Sequence, residues 1–136
     1  MQDDIRHGRS VVYELTVHLV FVTKYRRGVI TDRVREHLRG TCADVCQKMG
    51  VELKEFDGDD DHVHLLVAYP PKLAVSRLVN SLKLVSARLL RKRDFPEVRK
   101  KLWGVHFWTP SYYAGSCGRA SLQTVKRYIQ NQRRPN

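Results

Sequence analysis

The apolar residues of this chain change period in a fixed order: strand, helix, strand, strand, helix, strand. Val11 to Thr23 alternates. Tyr13, Leu15, Val17, Leu19 and Phe21 fall on one face; Glu14, Thr16 and His18 fall on the other with Val20 and Val22. From about Arg33 to Met49 the period lengthens. Val34, Leu38, Cys42, Val45 and Met49 recur every three or four residues, with Asp32 placed to cap the helix and Gly50 to stop it. Val51 to Phe56 and Asp61 to Tyr69 read as two strands joined by the turn Asp57-Gly58-Asp59-Asp60. After Pro70-Pro71, Ala74 to Lys92 is helical, with Val75, Leu78, Val79, Leu82, Val85 and Leu89 as its apolar stripe. Phe95 to Lys101 reads as a basic connection and Trp103 to Trp108 as a short fourth strand. Thr109 to Gly118 reads as a Gly/Ser/Tyr-rich loop, and about Ser121 to Gln132 as a last helix.

The order β-α-β-β-α-β predicts an α+β fold of the ferredoxin-like (RRM-like) kind, a split βαβ sandwich, with an additional C-terminal helix that carries Tyr128. Its 136 residues make one domain, 1–136. The last helix, about 121–132, follows a stretch at 114–118 that is suited to act as a hinge. Two helices cover one face of the sheet and leave the other open.

Charge narrows the partners. Residues 1–71 hold 10 Lys/Arg and 12 Asp/Glu, whereas residues 72–136 hold 15 and 2. The whole excess behind the net charge of +11 therefore lies in the second half, which points to a polyanion such as nucleic acid. No run of about 18 apolar residues offers a membrane span, and the first dozen residues lack an apolar signal segment. A cytoplasmic protein is expected. Three cysteines, Cys42, Cys46 and Cys117, argue against a disulfide framework, and Cys42 and Cys46 suit a helix core.

Within the third strand, Asp61-His62-Val63-His64-Leu65-Leu66-Val67 stands out. Val63, Leu65 and Val67 face the helices, which puts His62 and His64 together on the open face. Such a pair can grip a divalent metal, but two imidazoles hold one poorly and need a third ligand. Gln132, four residues after Tyr128 and on the same helix face, offers an amide oxygen. A mixed nitrogen and oxygen shell suits Mg²⁺ or Mn²⁺. His18 on the same sheet face and Asp61 beside His62 are candidates to support the pair. A phenol is a poor nucleophile at neutral pH, and a phosphodiester repels attack, so a metal on the phosphate would assist Tyr128. Tyr128 also fits an amphipathic boundary position, and Tyr113 is a rival nucleophile. Lys24, Tyr25, Arg26 and Arg27 form a basic loop in which Tyr25 can stack on a base. Arg77, Lys83 and Arg88 lie outside the apolar stripe of the second helix and are further candidate DNA contacts.

The chain resembles the small single-tyrosine transposases of the HUH nuclease superfamily, the TnpA type, which move insertion sequences as single-stranded DNA. The resemblance covers nearly the whole length. It rests on His18 to Arg27, Asp61 to Val67, Val75 to Leu82 with Ser86-Ala87-Arg88, Leu102-Trp103-Gly104, Trp108 to Tyr113, and Tyr128-Ile129-x-x-Gln132. Leu84 and Gly118-Arg119-Ala120-Ser121 depart from the family pattern. The resemblance implies that His62, His64 and Gln132 bind the metal. It makes Tyr128 the nucleophile, with a 5′-phosphotyrosine intermediate and a free 3′-hydroxyl. It further implies recognition of subterminal DNA hairpins, and a homodimer with composite active sites in trans, in a prokaryotic, nucleoid-associated setting. The alternatives are a non-catalytic nucleic-acid-binding module, which the absence of an aromatic pair on the first and third strands disfavours, a domesticated HUH protein, and a metal-dependent nuclease that forms no covalent link.

Overall fold

A computed structural model of the chain describes residues 5–7, 11–102, 104–116 and 122–132. Its elements are β1 (Arg6–His7), β2 (Val12–Tyr13), β3 (Thr16–Val22), α1 (Asp32–Lys48), β4 (Glu52–Gly58), β5 (His62–Ala68), α2 (Val75–Arg93), α3 (Pro96–Leu102), β6 (Tyr113–Ser116) and α4 (Leu122–Gln130). β1 and β2 pair separately, while the main sheet runs β4-β5-β3-β6 with every neighbour antiparallel. This is the expected α+β split βαβ arrangement.

α1 starts one residue earlier than expected, because Thr31 is its cap. The Thr31 backbone is extended, and its hydroxyl accepts from the Val34 amide. Asp32 sits instead in the first turn, where a carboxylate suits the helix dipole. At the other end Gly50 has φ 71°, and the Val51 and Gly50 amides donate to the carbonyls of Cys46 and Gln47. That double closure needs the left-handed residue which glycine supplies without strain.

α1 and α2 cover one face of the sheet. Val17, Leu19 and Phe21 of β3 and Val63, Leu65 and Val67 of β5 meet Val34, Leu38 and Cys42 of α1 and Leu78, Val79 and Leu82 of α2 in one core. A fully buried side chain of this size contributes ~1.5–3 kcal/mol over its exposed state. Cys42 and Cys46 belong to this core, and burial pushes both thiols up in pKa, Cys46 to about 11. Ser86 faces inward on α2, where its hydroxyl accepts from the Trp108 indole at 2.9 Å.

Three expectations are corrected. The first strand is broken: Val12 is exposed, and only Thr16–Val22 lies in the main sheet. The connection over 95–101 contains α3, which begins on Pro96, a residue preorganised for the first helical turn, and anchors Leu102 and Phe95 in the core. The fourth strand is Tyr113–Ser116. Trp108 makes only an isolated bridge to Thr23, because Phe107 and Trp108 both turn into the core, their ring centroids 4.5 Å apart and nearly perpendicular. Residues 114–116 of the expected hinge are thus paired to β3, while residues 117 and 118 lie outside the described residues, as do Trp103 and Ser121.

Nor is the second face of the sheet bare. Val125 and Ile129 of α4 pack on Val20 and Val22 of β3, with Tyr113 and Tyr128 at the edge of this smaller cluster. Among the described residues no helix is long and apolar enough to cross a membrane.

Candidate active site

β5 alternates as its sequence requires. Val63, Leu65 and Val67 are buried, while His62 and His64 are half-buried on the face that α4 shares. The register sets Val20 of β3 opposite His64 and Val22 opposite His62, so both imidazoles stand next to the strand on which α4 rests.

Four side chains form a polar row. The Asp61 carboxylate lies 2.7 Å from His62 Nδ1, His62 Nε2 lies 3.0 Å from His64 Nε2, and His64 Nδ1 lies 3.2 Å from His18 Nε2. The His18 and His64 rings stack at 5.3 Å. A carboxylate can only accept, so His62 donates from Nδ1, and in the neutral ring the lone pair is then on Nε2. Hydrogen bonding to His62 is the main reason the Asp61 carboxyl sits below its ordinary pKa, and Arg26, with Nε 3.4 Å from Oδ2, adds to it. Burial, with His62 and His18 alongside, holds His64 down to about 4, and burial also lowers His18. A neutral His64 can ligate a cation. When its proton rests on Nδ1, facing His18, both Nε2 atoms are free.

Those two Nε2 atoms are spaced for a shared ion. Ligands at ~2.1 Å and a right angle are ~3.0 Å apart, as in the octahedral geometry that Mg²⁺ demands. Among the described residues there is no group of three or more His, Cys, Asp or Glu around a common point.

α4 brings Tyr128 to the same face. The Tyr113 ring stands edge-on to His18 at 6.2 Å and lies 6.0 Å from Tyr128, bridging the histidine row to the helix. Gly115, opposite His18 on β6, leaves the room that the Tyr113 ring fills; a Cβ there would collide with it. Tyr128 is half-buried, and desolvation is the first cause that raises its phenol pKa. Ser111 Oγ lies 2.8 Å from the Tyr128 hydroxyl and donates to Gln132 Oε1 at 3.2 Å, while Gln132 Nε2 donates to the Tyr128 carbonyl. Gln132 is thus held beside Tyr128 through Ser111.

The basic candidates separate. Lys24 lies over the Tyr25 ring, and Tyr25 and Arg27 are exposed. Arg26 turns inward to Asp61. Tyr25 and Arg26 both have positive φ, 59° and 52°, a conformation costly for residues other than glycine, and this turn lies beside the histidine row. Together with Gly28, Asp60, Lys100 and Lys101 it lines an open polar cavity of about 660 Å³. Lys83 faces inward too: its ammonium donates to the carbonyls of Thr109, Pro110 and Ser111 at 2.7, 3.2 and 3.1 Å. Arg77 and Arg88 are exposed on α2, across the sheet from the histidines. The sequence reading missed Ser111, the role of Lys83 behind it, and the Arg26–Asp61 pair. Only the polar cluster Thr109-Pro110-Ser111, ahead of Tyr112, hinted at the first.

The profile of the family described as transposase IS200 like matches residues 11–132. The chain belongs to this family. Membership places it among DNA-processing enzymes. This IS200-like chain is 33% identical to ISDra2 transposase TnpA of Deinococcus radiodurans over 129 residues, 95% of this chain and 91% of that relative. It is 30% identical over 115 residues to the transposase for insertion sequence element IS200 of Salmonella typhimurium, covering 85% and 74% of the two chains. Its fold matches the crystal structure of a Deinococcus radiodurans R1 protein assigned as a transposase, with a TM-score of 0.87 at 33% identity over 96% and 99% of the chains. The REP-associated tyrosine transposase bound to a REP hairpin matches with a TM-score of 0.57 at 12% identity, over 93% of this chain and 69% of that one, a likeness of fold.

Proposed function

We propose that this IS200-like chain cleaves and rejoins single-stranded DNA at insertion-sequence ends, with Tyr128 as nucleophile. The observation that carries the reading is the meeting, on one sheet face, of the His62–His64 pair and the Tyr128 phenol, bridged by Tyr113. Tyr128 Oη forms a bond to the phosphorus and the phosphorus–O3′ bond breaks. DNA is left with its 5′ phosphate on the tyrosine and a free 3′-hydroxyl, which takes up the phenol proton. Reversal with a different 3′-hydroxyl rejoins the strand, because the phosphotyrosine conserves the energy of the broken diester.

His62 and His64, with Gln132 as third ligand, would hold Mg²⁺ or Mn²⁺, the spacing of the pair and the neutral His64 fitting either. When bound, such an ion offsets the charge of the phosphate and orients its phosphorus. Asp61 orients His62, and His18 orients His64. The exposed Tyr25 and Arg27, with Lys100 and Lys101, suit a single strand approaching the histidines from the basic turn. The hairpin carried by the REP-associated relative supports hairpin DNA as the ligand here.

We further propose a homodimer in which α4 of each protomer completes its partner's site. The Val125 and Ile129 contact on Val20 and Val22 is one that a partner's identical helix can take over, as in domain exchange.

The test is incubation of labelled single-stranded element ends with the protein and Mn²⁺, followed by denaturing electrophoresis. Wild-type protein is expected to form a denaturation-resistant adduct with the 5′ end of the cleaved DNA, and Tyr128→Phe to form none while still binding DNA. An undiminished adduct in Tyr128→Phe, lost instead in Tyr113→Phe, would move the role to Tyr113.

A further inference from the structure

We propose that Ser111 serves the tyrosine chemistry directly, by holding the Tyr128 phenol with its proton turned toward Oγ and its lone pairs turned out; the proposal rests on the reading of Tyr128 as nucleophile. The direction of each hydrogen bond follows from the donors available. Gln132 Nε2 donates to the Tyr128 carbonyl at 3.0 Å, which fixes the amide and leaves Oε1 facing Ser111. An amide oxygen only accepts, so the single hydroxyl hydrogen of Ser111 goes to Gln132. Ser111 Oγ then offers a lone pair to Tyr128 across 2.8 Å, and the phenol is the donor. A phenol without that acceptor is free to turn its hydrogen to either of the two orientations in the ring plane.

The serine is itself held in place. Lys83 reaches from α2 past the Phe21 ring, 6.0 Å from its centroid, and its three ammonium hydrogens match the three successive carbonyls of Thr109, Pro110 and Ser111. Burial lowers the Lys83 pKa from its ordinary value, a lysine drawn into the fold rather than extended into solvent. On the other side of Ser111 the chain passes into β6, which is paired to β3. The hydroxyl is thus mounted between two fixed points, whereas its own side chain stays exposed, so a slightly larger residue fits there. Ser111 gains no net proton in the step. The Oη–phosphorus bond forms, the phosphorus–O3′ bond breaks, and the proton lost by the phenol ends on the departing 3′-oxygen.

The experiment uses the full chain with Ser111→Ala and Ser111→Thr. Three readouts are compared: single-turnover adduct formation on hairpin-bearing single-stranded DNA with Mn²⁺, affinity for that DNA, and the ¹³Cζ resonance of Tyr128 in metal-free protein, assigned by its loss in Tyr128→Phe. Ser111→Ala is expected to slow the adduct step at saturating DNA on the order of tenfold, the rate equivalent of one neutral hydrogen bond. Its pH–rate profile should be displaced, the ¹³Cζ resonance should move, and DNA affinity should be unchanged. Ser111→Thr, which keeps the hydroxyl, is expected to restore rate and resonance. A wild-type adduct rate and an unmoved resonance in Ser111→Ala would overturn the proposal while the tyrosine reading stands. Equal loss in Ala and Thr would overturn it in favour of a merely structural serine. An adduct that survives Tyr128→Phe would overturn the tyrosine reading and this proposal with it.

Discussion

Arg26 Nε lies 3.4 Å from Asp61 Oδ2, so the basic turn that faces solvent through Tyr25 and Arg27 reaches inward to the carboxylate that orients His62. The pair is mostly buried, and Thr23 reinforces it by donating its amide to the Asp61 carbonyl and its hydroxyl to the Arg27 carbonyl at 2.8 Å, with the Asp61 carbonyl at 3.2 Å. A carboxylate that fixes the tautomer of a metal-binding histidine is typically worth ~10–100-fold in metal affinity. Asp61→Asn is therefore expected to weaken Mn²⁺ binding by about that factor with DNA affinity retained, as calorimetry on the DNA-free protein would measure. Mn²⁺ affinity equal to wild type would mean that Asp61 serves the turn alone.

The docking of α4 predicts a complementation result. Mix Tyr128→Phe with His64→Ala, each inactive alone, and let subunits exchange. If α4 works in trans, one of the two sites in each mixed dimer combines an intact histidine pair with an intact tyrosine, and cleavage returns. If α4 works where it rests here, on Val20 and Val22 of its own chain, every site keeps one defect. No recovery despite proven mixed dimers would exclude the composite site and leave the tyrosine chemistry standing.

How much of this was legible in the sequence depended on the range of the interaction. The placement of His62 and His64 followed from strand alternation, because Val63, Leu65 and Val67 can only face the core. Helix α1 was legible for the same local reason. β6 was not: Tyr-Ala-Gly-Ser shows no strand pattern, and its place at the sheet edge comes from pairing with β3, nearly a hundred residues earlier in the chain. Phe107 and Trp108 read as strand because they are large and apolar, yet both enter the same core cluster, whereas strand alternation would send neighbours to opposite faces. The apolar side of α4 was visible in Val125 and Ile129, but not that it would settle over β3. Ser111, Lys83 and Arg26 were out of reach for a further reason. Each acts through contacts distant in sequence, and composition alone assigns a lysine or arginine to the surface.

Lys83 and Arg27 should respond differently to salt. Arg27 is exposed in the basic turn, while the ammonium of Lys83 is occupied by three carbonyls. Each lost phosphate contact lowers the log–log salt slope of binding by ~0.7–0.9. Arg27→Gln is expected to reduce the slope by about that amount. Lys83→Met should leave the slope unchanged and instead slow cleavage, because the 109–111 segment that carries Ser111 loses its clamp. A reduced slope in Lys83→Met would show that the lysine leaves its carbonyls for DNA in the complex.

Acid stability tests a pair remote from the site. Glu97 at the start of α3 accepts two hydrogen bonds from Arg33 at 2.7 and 2.8 Å and one from the Thr31 hydroxyl. The Arg33 hydrogen bonds are the first cause, followed by the Glu97 backbone amide and Thr31, that hold its carboxyl down to about 2. A carboxyl with a depressed folded-state pKa contributes stability above its unfolded value of ~4.3 and loses it as pH falls through the folded value. Its contribution is thus complete at pH 6 and fades between about pH 4.3 and pH 2. Glu97→Gln removes the charge at every pH. The gap in melting temperature between wild type and variant should accordingly be widest near neutrality and narrow steadily below pH 4.3, with the group's exposure and salt keeping it modest. Thermal melts at low salt across pH 2.5 to 7 would measure it. A gap that stayed constant over that range would mean that the carboxylate's charge adds nothing, and that Thr31 and Arg33 hold α3 to α1 equally well through a neutral amide.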